Sequence, residues 1–167
     1  NTRSPTMQIF TNYIKAIETS RQSGNATEHT YRPGLKTLLE SFNSGIIAVN
    51  EPKRIKCGAQ DFVITAGQIT QGHIEAKDIG VSLTKEAKSQ QLKRYLNALP
   101  NLILTDYLEF RWYVNGELRL TAKLAEVGQK NQLQPNPEEI NKLAQLLTQF
   151  LQIATPQVSS PKELAKR

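Results

Sequence analysis

A near-continuous apolar run at residues 101–105, with the sequence NLILT, most constrains how this 167-residue chain can fold. Such a run is typical of a strand inside a sheet, because a strand covered on both faces carries apolar residues at successive positions. It therefore predicts further strands beside it and other elements packed on the sheet. The rest of the sequence contains candidates for both.

Strand patterns lie on both sides of this run. After it, residues 108–114 and 118–124 flank Asn115-Gly116, the strongest short signal for a β-hairpin because both turn residues tolerate positive φ. Before it, a small meander is predicted, with its last two strands joined by a turn at residues 66–68. The meander is expected to consist of residues 45–49, 54–57, 61–65 and 71–77.

Helical periodicity occupies most of the remaining sequence. Proline residues punctuate it: Pro33 either starts or kinks the second helix, Pro100 stops the third, and Asn136 with Pro137 caps and starts the last. Helices are predicted at residues 6–20, 33–42, 84–99 and from 137 to the Thr155-Pro156 stop. The predicted fold class is α+β, with three α/β layers in which helices flank a central mixed sheet.

Bulk composition narrows the function classes. The net charge of +6 and the isoelectric point near 9.5 favour an anionic partner. A single cysteine, Cys57, provides no internal disulfide and no cysteine metal framework, which favours a reducing cytoplasm. No apolar run has the length of about 18 residues that a membrane helix needs. We expect residues 1–155 to form one domain of a longer protein and residues 156–167 to be a linker.

The tripeptide Glu-x-Lys occurs three times, at residues 51–53, 75–77 and 86–88. Proline interrupts the first copy, and the third lies in a charged helical run, where a solvated face is the simpler interpretation. Only the middle copy follows a hairpin whose first strand begins with another acid, Asp61. Residues two apart share a strand face, so the middle glutamate and lysine project together.

Asp61 and Glu75 suit metal-assisted hydrolysis of a phosphodiester, because Mg²⁺ takes one or two protein carboxylates and keeps water in its other positions. The carbonyl oxygen of Ala76 is a further candidate ligand. Bound Mg²⁺ lowers the pKa of its water, and Lys77 can orient the nucleophile. The alternative is a structural role. The strand would then be an exposed edge strand whose charged Glu and Lys side chains prevent aggregation with other chains, and Asp61 would be a turn residue.

Five segments, in order, are similar to segments of a known family. They are residues 28–33 (EHTYRP), 49–54 (VNEPKR), 57–62 (CGAQDF), 73–78 (HIEAKD) and 102–107 (LILTDY). Together they resemble the amino-terminal nuclease domain of single-chain restriction-modification enzymes. In that family an Mrr-like domain of the PD-(D/E)XK superfamily precedes an adenine-N6 DNA methyltransferase and a target-recognition region. The similarity covers residues 28 to 125, approximately.

The resemblance implies a restriction-endonuclease-like fold and a metal-dependent DNA endonuclease. It makes Asp61 the first acid of the motif, Glu75 the second and Lys77 its lysine, whereas Gln60 stands where the superfamily name has proline. Glu28 resembles an acid that completes the metal shell in some members. The implied cofactor is Mg²⁺, with Mn²⁺ able to substitute.

The resemblance also covers a helix after the lysine, where Gln91 and Tyr95 match the Gln-x-x-x-Tyr element of some nuclease branches. At spacing i and i+4 the two side chains share a helix face and can reach the site or the DNA backbone. The alternative is that Tyr95 belongs to the core and Gln91 faces solvent. His73 shares the strand face of the acids and either contacts phosphate or water, or is a structural histidine.

Basic residues around the candidate site are expected to follow DNA phosphates, with a solvated surface as the competing interpretation. The basic residues are Lys53, Arg54, Lys88, Lys93 and Arg94. Tyr95 is a further predicted DNA contact.

The implied partners are double-stranded DNA and the covalently linked methyltransferase and target-recognition domains. No association with a membrane is expected. Pairing of two nuclease domains would serve double-strand cleavage. The implied location is the cytoplasm of a bacterium or archaeon. Two other expectations stay open: a catalytically inactive DNA-binding or docking module that keeps the nuclease fold, and a fold that only binds a protein partner.

Overall fold

The computed structural model describes residues 5–27, 29–50 and 61–152, without the side chain of Asn50. Five helices and eight strands lie in this part of the chain, with a 3-10 turn at Pro137–Glu139 before the last helix. The helices are α1 (Pro5–Gln22), α2 (Arg32–Phe42), α3 (Leu83–Glu86), α4 (Gln90–Ala98) and α5 (Ile140–Gln152). The strands are β1 (Ile46–Asn50), β2 (Phe62–Ala66), β3 (Ile69–Ala76), β4 (Asn101–Thr105), β5 (Glu109–Val114), β6 (Glu117–Lys123), β7 (Ala125–Val127) and β8 (Leu133–Pro135).

Strands β1 to β6 form one mixed sheet in sequence order. Neighbouring strands are antiparallel except β3 and β4, which are parallel. A parallel pair needs a crossover connection, and α3 with α4 provides it. The central mixed sheet flanked by helices confirms the predicted fold class.

Apolar side chains cover both faces of the sheet. On one face, α1, α2 and α5 contribute to a large core with residues such as Phe10, Leu35 and Phe150. On the other face, Leu92 and Tyr95 of α4 pack with Leu102 and other residues of the sheet. All five residues of β4 are buried, as the apolar run predicts for an interior strand.

The hairpin prediction is confirmed. Asn115 and Gly116 join β5 to β6 with φ of 50° and 83°, so the tight turn uses the left-handed backbone region that these residues tolerate. Helix α2 begins at Arg32 with Pro33 in its first turn, so the proline starts this helix.

Two local predictions need correction, and one small sheet was not predicted. The single helix predicted for residues 84–99 is two helices, because Ser89 caps α4: its Oγ accepts a hydrogen bond from the N–H of Leu92 at 3.2 Å. Asn136 makes no side-chain cap; its Nδ2 donates to the carbonyl oxygen of Lys123 at 2.9 Å, and a 3-10 turn precedes α5. The two-stranded sheet of β7 and β8 was not predicted.

Three fold predictions concern residues outside the described ranges, namely the strand at residues 54–57, the stop of the last helix at residues 155–156 and the linker at residues 156–167. Within the described ranges, no helix combines the length and the apolarity needed to cross a membrane.

Candidate functional site

The register of β2 and β3 brings the two predicted acids to one end of the hairpin. Phe62, the first residue of β2, pairs with Ile74, so Asp61 lies beside the end of β3 that carries Glu75. The Oδ2 atom of Asp61 accepts a hydrogen bond from the backbone N–H of Ala76 at 2.7 Å. This bond fixes the Asp61 carboxylate against the strand that carries the second acid.

Glu75 is buried inside the sheet, with 6% of its surface exposed. Strand β3 has β2 on one side and β4 on the other, so the alternative of an exposed edge strand is wrong. Glu75 pairs in register with Leu104, and Leu104 packs with α4, so both face the α3–α4 side. The sheet thus holds a carboxylate where an apolar side chain would be ordinary.

The pKa of Glu75 is raised to about 7, first by burial and then by the nearby Asp61 carboxylate, whereas the Lys77 ammonium opposes the shift. The Oε1 atom of Glu75 is buried and has no hydrogen-bond partner among the described residues. A buried carboxylate with an unsatisfied oxygen and a second carboxylate nearby is an arrangement that a cation would stabilise.

The Lys77 ammonium lies among three acceptors. Its Nζ is 3.2 Å from Oε2 of Glu75, 3.5 Å from Oε1 of Glu86 and 3.5 Å from Oε1 of Gln91. The Lys77 backbone N–H donates to the carbonyl oxygen of Thr105 at 2.8 Å, which holds the residue directly after β3. The predicted lysine and glutamine are therefore brought together with Glu75.

Glu86 is a site residue that sequence reasoning missed. The Glu86 to Lys88 copy of the tripeptide was interpreted as a solvated helix face, but the glutamate of this copy lies on α3 against the Lys77 ammonium. Its side chain is 29% exposed, so it is partly buried at the edge of the site. The local charge pattern contains no signal for this contact, because the crossover that brings α3 over β3 is tertiary.

Arg32 is a second residue that was not singled out. It is the first residue of α2, its exposure is only 7%, and its Nη2 donates to Oδ1 of Asp61. Both oxygens of the Asp61 carboxylate therefore have donors. The available sequence signal was the position of Arg32 inside the matched segment at residues 28–33.

His73 lies two residues before Glu75 and faces the same side of the sheet, in register with Leu102. Burial lowers the pKa of its imidazole to about 4. The Nδ1 atom is buried without a hydrogen-bond partner in the part of the chain that the structure describes. At neutral pH this ring is uncharged, so it contributes no cation to the site.

The Gln-x-x-x-Tyr pair divides between site and core. Gln91 reaches Lys77, whereas the ring of Tyr95 is 1% exposed and packs with Leu92, Leu99 and Leu102. The DNA contact predicted for Tyr95 is therefore corrected, because its ring fills the space between α4 and the sheet. Of the predicted basic residues, Lys88, Lys93 and Arg94 are exposed.

Three predicted site residues, Glu28, Lys53 and Arg54, lie outside the described ranges. No group of three or more His, Cys, Asp and Glu side chains suited to a metal occurs among the described residues. The donor set within them is Asp61 and Glu75. These two carboxylates fit a hard cation such as Mg²⁺, which takes few protein ligands, and the unsatisfied Glu75 oxygen favours that fit.

Comparisons with known proteins address the fold. No protein-family model and no curated protein matches the chain. Among solved structures, the chain is similar to a chain of the cryo-EM structure of a DrdV–DNA complex, with a TM-score of 0.71 and 22% sequence identity. The similarity covers 95% of this chain and 15% of that chain. The two chains therefore share a fold over nearly the whole of this one.

Proposed function

We propose that this chain is the metal-dependent DNA endonuclease domain of a restriction-modification enzyme. The observation that carries the proposal is the convergence of Asp61, Glu75 and Lys77 at one end of the β2–β3 hairpin. The DNA in the complex of the structural neighbour supports DNA as the partner. The chain spans a small part of that neighbour's length, which suits a domain linked to methyltransferase and target-recognition domains.

In this proposal the three motif residues have separate roles. Asp61 and Glu75 hold Mg²⁺, with the Ala76 carbonyl oxygen and Glu28 as further proposed ligands. When bound, the metal activates water and neutralises charge on the scissile phosphate. Lys77 contacts the attacking water or the phosphate oxygens, while Gln91 keeps the ammonium directed into the site.

The DNA backbone would lie along the exposed basic residues of the crossover. Lys88 precedes α4, and Lys93 and Arg94 lie on it, next to the helix turn that carries Gln91. Lys53 and Arg54 are further proposed phosphate contacts. Positively charged side chains beside an acidic metal site hold the phosphodiester backbone against it without reading base sequence. Two such domains would be needed to cut both strands, so we also propose pairing on DNA.

The proposal is tested by incubating the domain with plasmid DNA and Mg²⁺. Asp61→Ala and Lys77→Ala should each lower the cleavage rate by at least about a hundredfold, because each removes a group that acts on the transition state. Lys85→Ala is the matched control, since Lys85 is an exposed lysine on α3 near the site. EDTA should abolish cleavage. Cleavage that persists undiminished in both site variants would refute the assignment.

A second candidate is a catalytically inactive module that keeps the nuclease fold and binds DNA or docks another domain. It is favoured by one observation: Arg32 and the Ala76 N–H already satisfy both oxygens of Asp61. Calorimetric titration with Mg²⁺ or Mn²⁺ separates the candidates. The titration is run with and without DNA. A nuclease takes up metal at the intact site under at least one of these two conditions, whereas the inactive module takes up none under either.

A further inference from the structure

Arg32 occupies an unusual position for a cation. It is the first residue of α2, where the helix dipole presents its positive end and disfavours a positive side chain. The residue is also nearly buried, at 7% exposure, which an arginine tolerates only when its charge is compensated. Helix stability therefore does not explain the placement of Arg32.

One compensating charge comes from the candidate metal ligand. Nη2 of Arg32 donates to Oδ1 of Asp61, and the two side chains are 9% and 14% exposed. A guanidinium held there places one positive charge beside the carboxylate that is proposed to bind the metal. Because like charges repel strongly where water is scarce, Arg32 weakens the attraction of Asp61 for a divalent cation.

The charges of the described site residues support this competition. Three carboxylates, from Asp61, Glu75 and Glu86, face two cations, Lys77 and Arg32. Lys77 contacts Glu75 and Glu86, and Arg32 contacts Asp61. In their ionised forms, these described side chains together leave one net negative charge to attract a metal ion.

A phosphate group is a suitable alternative partner for the guanidinium. Its oxygens match the planar donor fork of arginine, in the same way as a carboxylate does. DNA bound at the proposed site would bring phosphates next to Asp61. We propose that Arg32 is an exchangeable cation, which holds Asp61 in the free protein and transfers to a DNA phosphate, so that Asp61 becomes available to the metal.

This inference rests on the proposed function, and it makes DNA and metal binding mutually favourable. Because coupling between two ligands is reciprocal, each should raise the affinity for the other. The free domain should bind metal weakly, and the DNA-bound domain should bind it tightly.

The test uses Arg32→Met, which keeps the length of the side chain and removes its charge. Without DNA, calorimetry at low ionic strength should show about tenfold tighter Mn²⁺ binding than in the wild type, because one positive charge beside the dication is gone. In EDTA, fluorescence anisotropy with a short duplex should show DNA binding that is several-fold weaker. If Arg32 has only a structural role, the substitution should weaken both Mn²⁺ binding and DNA binding.

Arg119→Met is the matched control, since Arg119 is exposed on β6 and its loss changes the net charge equally. This variant should leave Mn²⁺ affinity nearly unchanged. If Arg32→Met does not fold, Arg32→Gln keeps a donor for Asp61 and removes the same charge. If the wild type binds Mn²⁺ and the Arg32 variant does not bind it more tightly, the proposed exchange of Arg32 is refuted, while the metal site stands. Absence of Mn²⁺ uptake in every version, with and without DNA, overturns the metal site and the proposed function with it.

Discussion

At the scale of single residues, the site is a set of opposing charges at the end of a buried strand. Glu75 and His73 share one face of β3, and burial shifts both toward their neutral forms: the pKa of Glu75 is raised to about 7 and that of His73 is lowered to about 4. Ionisation of either side chain is therefore unfavourable in the folded domain: that of Glu75 as pH rises and that of His73 as pH falls.

Glu75→Gln should change the pH dependence of stability in a defined direction. The folded pKa of Glu75 is above its ordinary value of 4.5, so its ionisation costs stability progressively as pH rises from 4.5 to 7. The variant lacks this cost. Its stability relative to the wild type should therefore be greater at pH 8 than at pH 5, by roughly 2–3 kcal/mol. Urea unfolding in EDTA at the two pH values measures the difference.

His73→Gln is the control for that prediction because the sign is reversed. The folded pKa of His73 is below its ordinary value of 6.5, so stability is lost as pH falls from 6.5 toward 4. The stability of the variant relative to the wild type should therefore be greater at pH 5 than at pH 8. Parallel pH profiles for the wild type and Glu75→Gln would contradict the burial of an ionisable Glu75.

At the scale of elements, Asn101 connects three parts of the fold. It begins β4 and is 1% exposed. Its Nδ2 donates to the carbonyl oxygens of Gln71 in β3 at 2.7 Å and of Phe150 in α5 at 2.9 Å, and its Oδ1 accepts from Nε1 of Trp112 in β5 at 2.6 Å. The Phe150 carbonyl lies in the last described turn of α5, where helix carbonyls lack partners within the helix. One side chain thus ties a helix end to two strands.

Asn101→Leu should be severely destabilising, although the volume is nearly conserved. The change leaves the indole N–H and two carbonyl oxygens without these partners, and each buried unsatisfied group costs about 1–3 kcal/mol. We expect a loss of about 3–5 kcal/mol in the free energy of unfolding, measured by urea titration. Asn97→Leu on the exposed side of α4 is the control and should cost much less. A loss below about 1 kcal/mol would contradict the connecting role.

The close approach of α5 to the sheet is visible at a second point. A Cβ atom at Gly72 of β3 would lie 2.6 Å from Cε1 of Phe150 and 2.8 Å from Nδ2 of Asn101. Only a residue without a side chain fits there, so Gly72 allows the helix to pack directly on the strand that carries Glu75.

At the scale of the whole molecule, the predicted DNA surface lies on the α3–α4 side of the sheet. Glu75 and Lys77 face this side, and the exposed Lys88, Lys93 and Arg94 belong to the same crossover. The other face is covered by α1, α2 and α5. In the proposed function DNA would therefore approach one side of the sheet, where Glu75 lies near the end of the central strand β3 and Asp61 lies beside it.

Replacing Lys88, Lys93 and Arg94 together by alanine should weaken DNA binding and its salt dependence. Each lost phosphate contact removes about one released counterion, so the slope of log affinity against log salt should become shallower by about 2–3. The control replaces Lys15, Arg119 and Lys130, which are also exposed and carry the same total charge. Fluorescence anisotropy across a salt series measures both. Equal slopes for the two variants would place the DNA surface elsewhere.

Much of the fold followed from local sequence patterns. The apolar run of β4, the Asn115-Gly116 turn and the helical faces of α1 and α5 are each read from a few neighbouring residues, because backbone periodicity and turn conformation depend on local chemistry. The break at Ser89 was also local in principle, since its hydroxyl caps α4, but the continuous helical periodicity concealed it.

The sequence by itself determined the hairpin of β2 and β3 that carries the candidate site, and it placed Glu75 and Lys77 on the same side, because side chains two apart on an extended backbone project together. Tertiary structure alone decided which distant side chains join them. The crossover brought Glu86 to Lys77, and the start of α2 brought Arg32 to Asp61. These contacts depend on the three-dimensional packing of elements that are far apart in the chain, for which one sequence carries no local signal.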